Sequence, residues 1–121
     1  MSEESGRSGE EEVLRRVHPE QVIWDANLGR HRPTSAAFRD SEMSVNLRDE
    51  LEKLGLGPEA AVAAYPVHSL AALTVAFVER EGQEVRHDPL PDDPSHGLVL
   101  GDKPKSVRNR FAARSEWRVQ R

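Results

Sequence analysis

One stretch of the sequence, residues 85–101, gathers side chains that could do chemistry. Its sequence, VRHDPLPDDPSHGLVLG, contains two histidines, His87 and His96, together with three aspartates and three prolines. Imidazoles and carboxylates can bind a metal ion or move protons. Each proline fixes its own φ angle and keeps the preceding residue out of the helical conformation. We therefore expect a rigid, extended loop that a strand over residues 97–100 anchors.

A metal site in this loop would require its ligands to converge. Local metal motifs place ligands three or four residues apart on a helix, or two apart on a strand. His87 and His96 are nine residues apart with all three prolines between them. We therefore predict no metal and no cofactor, and we interpret the aspartates as turn residues and His96 as a group that satisfies a strand end. The sequence also contains no cysteine, which excludes a thiolate nucleophile and a cysteine zinc site.

A small transferase or hydrolase is an alternative use of the same residues. Its pocket would lie between residues 13–18, residues 32–35 and the 87–96 loop, and an arginine there could hold a phosphate-bearing ligand. Neither a G-x-S-x-G motif nor a glycine-rich phosphate loop accompanies these segments. Whether the protein is an enzyme therefore stays open at this point. The candidate catalytic residues are Arg15, Arg16, Ser35, His87 and His96.

The C-terminal end of the chain is strongly basic. Residues 103–121 carry a net charge of +6, so with −4 overall the other 102 residues carry −10. We predict a final helix over residues 106–118, on which four arginines form one stripe about 80° wide at ~100° per residue, bordered by an aromatic side chain. A row of guanidiniums can bind a phosphate backbone or an acidic protein surface. These binding candidates are Arg110, Arg114, Trp117, Arg118 and Arg121.

Two other interpretations of this stripe remain. It can be a solvated face, or it can dock within the molecule against the acidic 79–93 region. Our preferred hypothesis is a small binding or regulatory module that contacts an acidic protein or a nucleic acid through the C-terminal helix. The small enzyme described above is the alternative.

The overall composition indicates one small domain with a limited core. The chain has 121 residues, of which 36% are hydrophobic and 31% charged. Residues 1–12 contain no apolar residue beyond Met1, so we expect a disordered acidic tail, followed by a single domain over 13–121 that ends in the basic helix. The N-terminus has no apolar leader, and the longest apolar run is far below the ~18 residues of a membrane span. We expect a cytoplasmic protein with no membrane contact.

Short strands and helices alternate along this domain, which predicts an α+β fold with a few strands packed against two or three helices. The segment with the strongest core signal, residues 67–82, places Leu70, Leu73, Phe77 and Val78 at helical spacing before Gly82, although its first part also fits a buried strand. We expect residues 22–24 to point inward and residues 25–35 to form a loop. Strands are predicted at 13–18, 43–47 and 97–100, and helices at 48–54, 58–65 and 70–81.

Several short motifs together are similar to a group of small, uncharacterised bacterial proteins. In the first half these are residues 13–18, the RPTSAAF segment at 32–38 and Ser44-Val45. In the second half they are Asp88-Pro89, the DPSH segment at 93–96, the LVxG segment at 98–101 and the closing helix to Trp117. The resemblance covers about 100 residues and implies no particular activity, so it assigns no functional residue.

Overall fold

Eight strands and three α-helices follow one another along residues 7–121, which are the residues described by the computed structural model. The strands are β1 Glu12–Val17, β2 Val22–Asp25, β3 Arg30–Pro33, β4 Glu42–Leu47, β5 Ser69–Thr74, β6 Glu84–His87, β7 His96–Leu100 and β8 Glu116–Val119. The α-helices are α1 Arg48–Lys53, α2 Val75–Arg80 and α3 Lys105–Arg114, and 3-10 helices span Pro19–Gln21, Ser35–Phe38 and Pro58–Val62. The α+β class is confirmed.

Six of these strands form one antiparallel sheet in the order β6-β7-β4-β1-β5-β8. β1 lies inside the sheet, between β4 and β5. The strands predicted at 13–18, 43–47 and 97–100 are confirmed as β1, β4 and β7. Successive side chains of a strand point to opposite faces, so Ser44 and Asn46 share one face of β4 while Met43 and Val45 share the other.

The two faces of this sheet pack against different elements. One face, which includes Val13 and Val45, packs against α3 and the Ser35–Phe38 helix, where the rings of Phe38 and Phe111 meet edge to face with centroids 5.9 Å apart. The other face packs Leu14 of β1 against side chains of α1 and the Pro58–Val62 helix. Those two helices are short, so they cover only part of that face.

The helix predicted at 70–81 is wrong in its first half. Residues 69–74 form strand β5, and the helix begins only at Val75. Side chains on both faces of β5 are buried, so its sequence lacks the alternation that distinguishes a strand from a helix. The N-cap of this helix is Thr74, whose Oγ1 accepts from the backbone N–H of Phe77 at 3.2 Å.

The final helix ends earlier than predicted. It stops at Arg114, because Ser115 takes an extended conformation, and residues 116–119 then form the edge strand β8 against β5. Pairing with β5 supplies the backbone hydrogen bonds that a longer helix would have made internally. The domain thus ends in a strand, and Trp117 and Arg118 lie on that strand.

The predicted acidic tail over residues 1–12 is also wrong in its last part. The backbone carbonyls of Gly9 and Glu11 accept hydrogen bonds from Ala76 and Val75 at 3.0 and 2.8 Å, and Glu12 begins β1. Backbone hydrogen bonds hold this part of the N-terminal segment in place although it buries no apolar side chain. Its ordered structure was therefore not predictable from hydrophobic composition. Residues 1–6 lie outside the described residues.

Strands β2 and β3 form a separate hairpin in place of the predicted 25–35 loop. The side chain of Asp25 accepts from the backbone N–H groups of Asn27 and Leu28 in the connecting turn. The prediction that residues 22–24 point inward is wrong for Ile23 and Trp24, which are 47% and 56% exposed, whereas Val22 is partly buried and packs against the core. The hairpin is not part of the six-stranded sheet, and its side that carries Ile23 and Trp24 is exposed to solvent.

Candidate ligand-binding pocket

A cavity of about 520 Å³ lies on the partly covered face of the sheet. We call it the sheet-face pocket. Its floor consists of polar side chains from the strands, and its walls are mainly apolar side chains from α1, from residues 56–65 and from the loop before β7. The polar members include Arg16, Ser44, Asn46, Asp93, Ser95 and His96, and the apolar members include Leu51, Leu54, Leu56, Ala61, Tyr65 and Leu90.

Strand geometry places the polar residues together. Ser44 and Asn46 lie two residues apart on β4 and therefore on one face. In the β4–β7 pairing Asn46 is opposite His96, and in the β1–β4 pairing it is opposite Leu14, two residues before Arg16. Three neighbouring strands thus bring an arginine, a serine, an amide and an imidazole to one patch of the sheet.

Asn46 is the central link of this patch, and its side chain is buried. Its Nδ2 donates to Asp93 Oδ1 at 2.9 Å and to Ser95 Oγ at 2.8 Å, and its Oδ1 accepts from Arg16 Nη1 at 3.3 Å. Ser95 Oγ in turn lies 3.3 Å from Asp93 Oδ1, to which it donates. These bonds fix the 90–96 loop against the sheet, so the pocket wall is tied to its floor.

His96 is buried and makes hydrogen bonds with both ring nitrogens. Nδ1 lies 2.9 Å from the backbone carbonyl oxygen of Asp88 and 3.2 Å from that residue's Oδ2, and Nε2 lies 3.2 Å from Ser44 Oγ. A carbonyl oxygen can only accept, so in the neutral ring the proton is assigned to Nδ1. Nε2 then accepts the hydroxyl proton of Ser44.

Arg16 brings a positive charge to the pocket. Its Nη1 donates to Asn46 and to the backbone carbonyl of Ala61, both at 3.3 Å, and its guanidinium lies over the ring of Tyr65, 4.0 Å from the centroid. Among residues 7–121, no carboxylate forms an ion pair with Arg16, and its Nε and Nη2 atoms have no hydrogen-bond acceptor. Two donor nitrogens and one unpaired charge thus remain for a ligand.

The mouth of the pocket is apolar. Four large side chains around it are between 39% and 51% exposed: Leu54, Leu56, Tyr65 and Leu90. Two carboxylates also line the pocket. Asp93 is engaged by the hydrogen bonds described above, and Asp92 is exposed to water, which screens its charge.

Of the five residues predicted as catalytic, the pocket contains two, Arg16 and His96. Arg15 points to the other face of the sheet, where its guanidinium donates to the carbonyls of Ala37 and Ser44 at 2.9 and 2.8 Å and to Asp40 at 3.3 Å. It therefore holds the Ser35–Phe38 helix to the sheet.

The remaining two candidates, Ser35 and His87, also lie outside the pocket lining. Ser35 begins the helix on the opposite face of the sheet, and His87 Nε2 bonds the carbonyl oxygen of Pro94 at 2.8 Å. The site residues predicted from the sequence do not include Ser44, Asn46 and Tyr65, which line the pocket. Ser44 and Asn46 form the polar side of an alternating strand, a pattern that normally indicates a solvent-exposed face.

The loop between β6 and β7 contains a turn, as was predicted from its aspartates. The backbone groups of Leu90 and Asp93 exchange two hydrogen bonds, at 3.1 and 3.0 Å. Within residues 7–121, no group of three or more histidine, aspartate and glutamate side chains is placed to hold a metal ion.

The four arginines of the predicted C-terminal stripe are divided between α3, which carries Arg110 and Arg114, and the chain after it, which carries Arg118 on β8 and Arg121 beyond it. All four have partners within the molecule. Arg110 binds Glu81 through two hydrogen bonds of 2.8 and 2.7 Å, which lower the pKa of that carboxyl. Arg118 binds Glu12, and Arg121 donates to the carbonyl of Pro66. Arg114 lies over the ring of Phe77. The prediction of one continuous arginine stripe is therefore wrong. The alternative prediction, that the arginines dock within the molecule against residues 79–93, describes Arg110, which binds Glu81.

Among the described residues, no helix is both long and apolar enough to cross a membrane. Comparisons of the chain with protein families, with curated proteins and with solved structures found no significant match.

Proposed function

We propose that this protein is a small binding module whose ligand is an organic anion with an apolar body, held in the sheet-face pocket. The observation that carries the proposal is Arg16, a cation on the pocket floor that lacks an ion-pair partner among residues 7–121. Other arginines, including Arg15, Arg48 and Arg118, each form an ion pair. A guanidinium binds carboxylate and phosphate groups well, because its N–H donors match the spacing of their oxygens.

The shape of the pocket supports this ligand class. Small-molecule sites of 300–1,000 Å³ with apolar walls and a few convergent polar groups are typical of proteins. Here Leu51 and Leu54 offer apolar contact, while Arg16 and Ser44 lie on the floor. The hydrogen bonds of Asn46 fix the floor before a ligand arrives, so little side-chain ordering opposes binding.

The test is calorimetric titration with a matched set of probes. We expect 4-phenylbutyrate and 4-phenylbutyl phosphate to bind, since each carries an anion on an apolar chain, and their relative affinities distinguish carboxylate from phosphate. The neutral 4-phenylbutanol should bind at least ~10-fold more weakly, which corresponds to ~1.4 kcal/mol. The cationic 4-phenylbutylamine should not bind detectably.

Two variants complete the test. Arg16→Gln should weaken binding of the anions at least ~10-fold and leave the affinity for the alcohol unchanged. Arg39→Gln is the control, because Arg39 is exposed and does not line the pocket. Equal binding of the amine and the acid, or full affinity in Arg16→Gln, would contradict the proposal.

A second candidate function is binding of an acidic partner through α3. The observation that favours it is that Lys105–Arg114, KSVRNRFAAR, contains four basic residues and no acidic one. If α3 binds single-stranded DNA or polyglutamate, affinity should fall steeply with salt, and Lys105→Gln with Arg114→Gln should weaken it while Arg86→Gln does not. The absence of binding at low salt would exclude this candidate.

A further inference from the structure

We propose that Ser44 is a nucleophile, with His96 as its general base, and that the sheet-face pocket transfers the acyl group of carboxylic esters to water. This inference rests on the proposed binding function, because the same pocket would hold the ester. It gives the pocket an activity in addition to binding.

The geometry that supports it is the chain of contacts from Asp88 through His96 to Ser44. A serine hydroxyl is a weak nucleophile until an adjacent base accepts its proton. His96 Nε2 lies 3.2 Å from Ser44 Oγ, at the upper end of the hydrogen-bond range for a base and its nucleophile, and such a separation is common before substrate binds. Asp88 holds the ring through Nδ1 and thereby keeps the lone pair of Nε2 directed at the hydroxyl.

Burial favours this arrangement further. His96 is 8% exposed, and its ring bonds leave it one orientation. Ser44 is only partly buried and lines the cavity, so an ester in the pocket can reach its Oγ. The buried base and the accessible hydroxyl thus have the positions that proton transfer and attack require.

The reaction then proceeds in two steps. Ser44 Oγ attacks the ester carbonyl, its proton passes to His96 Nε2, and the ester C–O bond breaks as the leaving alkoxide takes that proton. Water next attacks the acyl-serine and gives its proton to His96. The acyl–Oγ bond breaks, the proton returns from His96 to Ser44, and the carboxylic acid leaves and releases its remaining proton to solvent. No oxidant, metal or second substrate is required.

The backbone around Ser44 limits the rate. Ser44 lies within the β4–β7 ladder, so its strand does not form the sharp turn whose free N–H groups would stabilise an oxyanion. The N–H donors on the pocket floor that have no acceptor among residues 7–121, and could therefore stabilise an oxyanion, belong to Arg16. We therefore expect activity on esters with a good leaving group, and an acyl-serine that accumulates.

The first experiment is labelling of the full chain with an alkyl fluorophosphonate. Ser44 Oγ would form a bond to phosphorus, fluoride would leave, and the proton would pass through His96 to solvent. Peptide mapping by mass spectrometry should locate the label on Ser44. Excess 4-phenylbutyrate should slow the labelling, because it occupies the same pocket.

The second experiment is hydrolysis of p-nitrophenyl butyrate. Ser44→Ala should reduce the rate at least ~100-fold, the lower end of what proton transfer contributes. Ser35→Ala is the matched control and should retain the full rate, because Ser35 lies on the opposite side of the sheet. His96→Gln should also lose activity, and if that variant fails to fold, Ser44→Ala alone decides.

The outcomes separate this inference from the proposed function. Labelling that maps to Ser44, is lost in Ser44→Ala and is retained in Ser35→Ala supports the assignment of Ser44 as the nucleophile. Label at another residue, or unchanged hydrolysis by Ser44→Ala, overturns it. If 4-phenylbutyrate binds with the dependence on Arg16 given above but Ser44 is neither labelled nor acylated, the binding function stands and the nucleophile does not.

Discussion

Arg118 Nη2 lies 2.6 Å from Oε2 of Glu12, which joins the last strand of the domain to the first across 106 positions of the chain. Oε1 of the same carboxylate accepts from Arg48 Nη1 at 2.7 Å. One partly buried acid therefore connects β1, β8 and the start of α1. Burial alone would raise the pKa of Glu12, but the hydrogen bonds from Arg118 and Arg48 outweigh it, so the pKa is lowered.

Replacing Glu12 with Gln should destabilise the protein. Gln has one acceptor oxygen and no negative charge, so the two arginines would keep their charges and lose their ion-pair partner, which costs ~1–3 kcal/mol in comparable cases. The carboxylate is favoured in the folded state, so its contribution is present above the ordinary pKa of 4.5 and is lost as the pH falls through the lowered value. Urea unfolding at pH 7 and at pH 3 should show a larger difference in stability between the two pH values for wild type than for Glu12→Gln.

Glu20→Gln, at an exposed position, is the control. Equal stability of wild type and Glu12→Gln at pH 7 would refute this role.

His68 can report on Arg16. Burial is the largest cause that lowers the pKa of His68, and the charges of His18, Arg16 and Arg121 lower it further. Arg16→Gln should therefore raise the pKa of His68, as followed by NMR titration of its ring, whereas Arg39→Gln should not. An anion bound at Arg16 should have the same effect as the substitution. An unchanged titration curve in Arg16→Gln would show that the guanidinium lies elsewhere in solution.

The lowered pKa of His68 also has a consequence for stability. The folded state disfavours the charged ring, so the unfolded chain binds the proton more readily, and stability decreases as the pH falls below about 6.5. The decrease should be smaller in Arg16→Gln than in wild type, because one of the repelling charges is gone. Thermal unfolding between pH 7 and pH 5.5 measures this difference.

Phe77 and Phe111 should be the most sensitive apolar positions. Their rings meet with centroids 5.8 Å apart, and Phe111 also contacts Phe38. Phe111→Ala should cost ~3–5 kcal/mol, as expected for a buried phenylalanine. Phe77→Ala should cost somewhat less, because Phe77 is 9% exposed whereas Phe111 is fully buried. Chemical denaturation measures both values, and a loss below ~1 kcal/mol for Phe111→Ala would be incompatible with this packing.

Lys103 should give the protein an unusual dependence on alkaline pH. Its ammonium donates to the carbonyls of Val99, Gly101 and Ser41 at 2.9, 3.1 and 3.3 Å, and burial lowers its pKa to about 8. The unfolded chain therefore binds the proton more tightly than the folded protein. The free energy of unfolding should then increase as the pH rises from about 8 towards 10.5.

Lys103→Met should remove this increase, because Met has no proton to lose. Lys105→Met is the control, since Lys105 is exposed and should leave the pH dependence as in wild type. Urea unfolding at pH 8 and pH 10 provides the measurement. A wild-type stability that falls steadily over this interval would mean that the three carbonyls hold the ammonium more strongly than burial disfavours it.

The sequence predicted those elements whose environment is simple. β4 is apolar on one side only, so Met43, Val45 and Leu47 alternate with polar residues and identify a strand. β5 has buried neighbours on both sides, and an unbroken apolar run is equally compatible with a helix. β8 depends on pairing with β5, more than forty residues earlier in the chain, and local propensity contains no information about such a partner.

The pocket was only partly predictable for a related reason. Strand alternation already sends Arg15 to one face and Arg16 to the other, but only the packing of the sheet shows that the pocket lies on the face of Arg16. The polar side of β4 would face water in an uncovered sheet. It becomes a pocket floor because α1 and the Pro58–Val62 helix cover part of that face, and this long-range packing is not encoded in any local motif.

The two outer strands of the sheet also affect how the protein behaves at high concentration. An edge strand exposes backbone N–H and C=O groups that can pair with the edge of another molecule and begin aggregation. β6 is only four residues long and carries the exposed charges of Glu84 and Arg86, and β8 carries the exposed carboxylate of Glu116. Docking a second chain in register would bring these charges together and strip them of water. Both ends of the sheet therefore resist extension into a fibril.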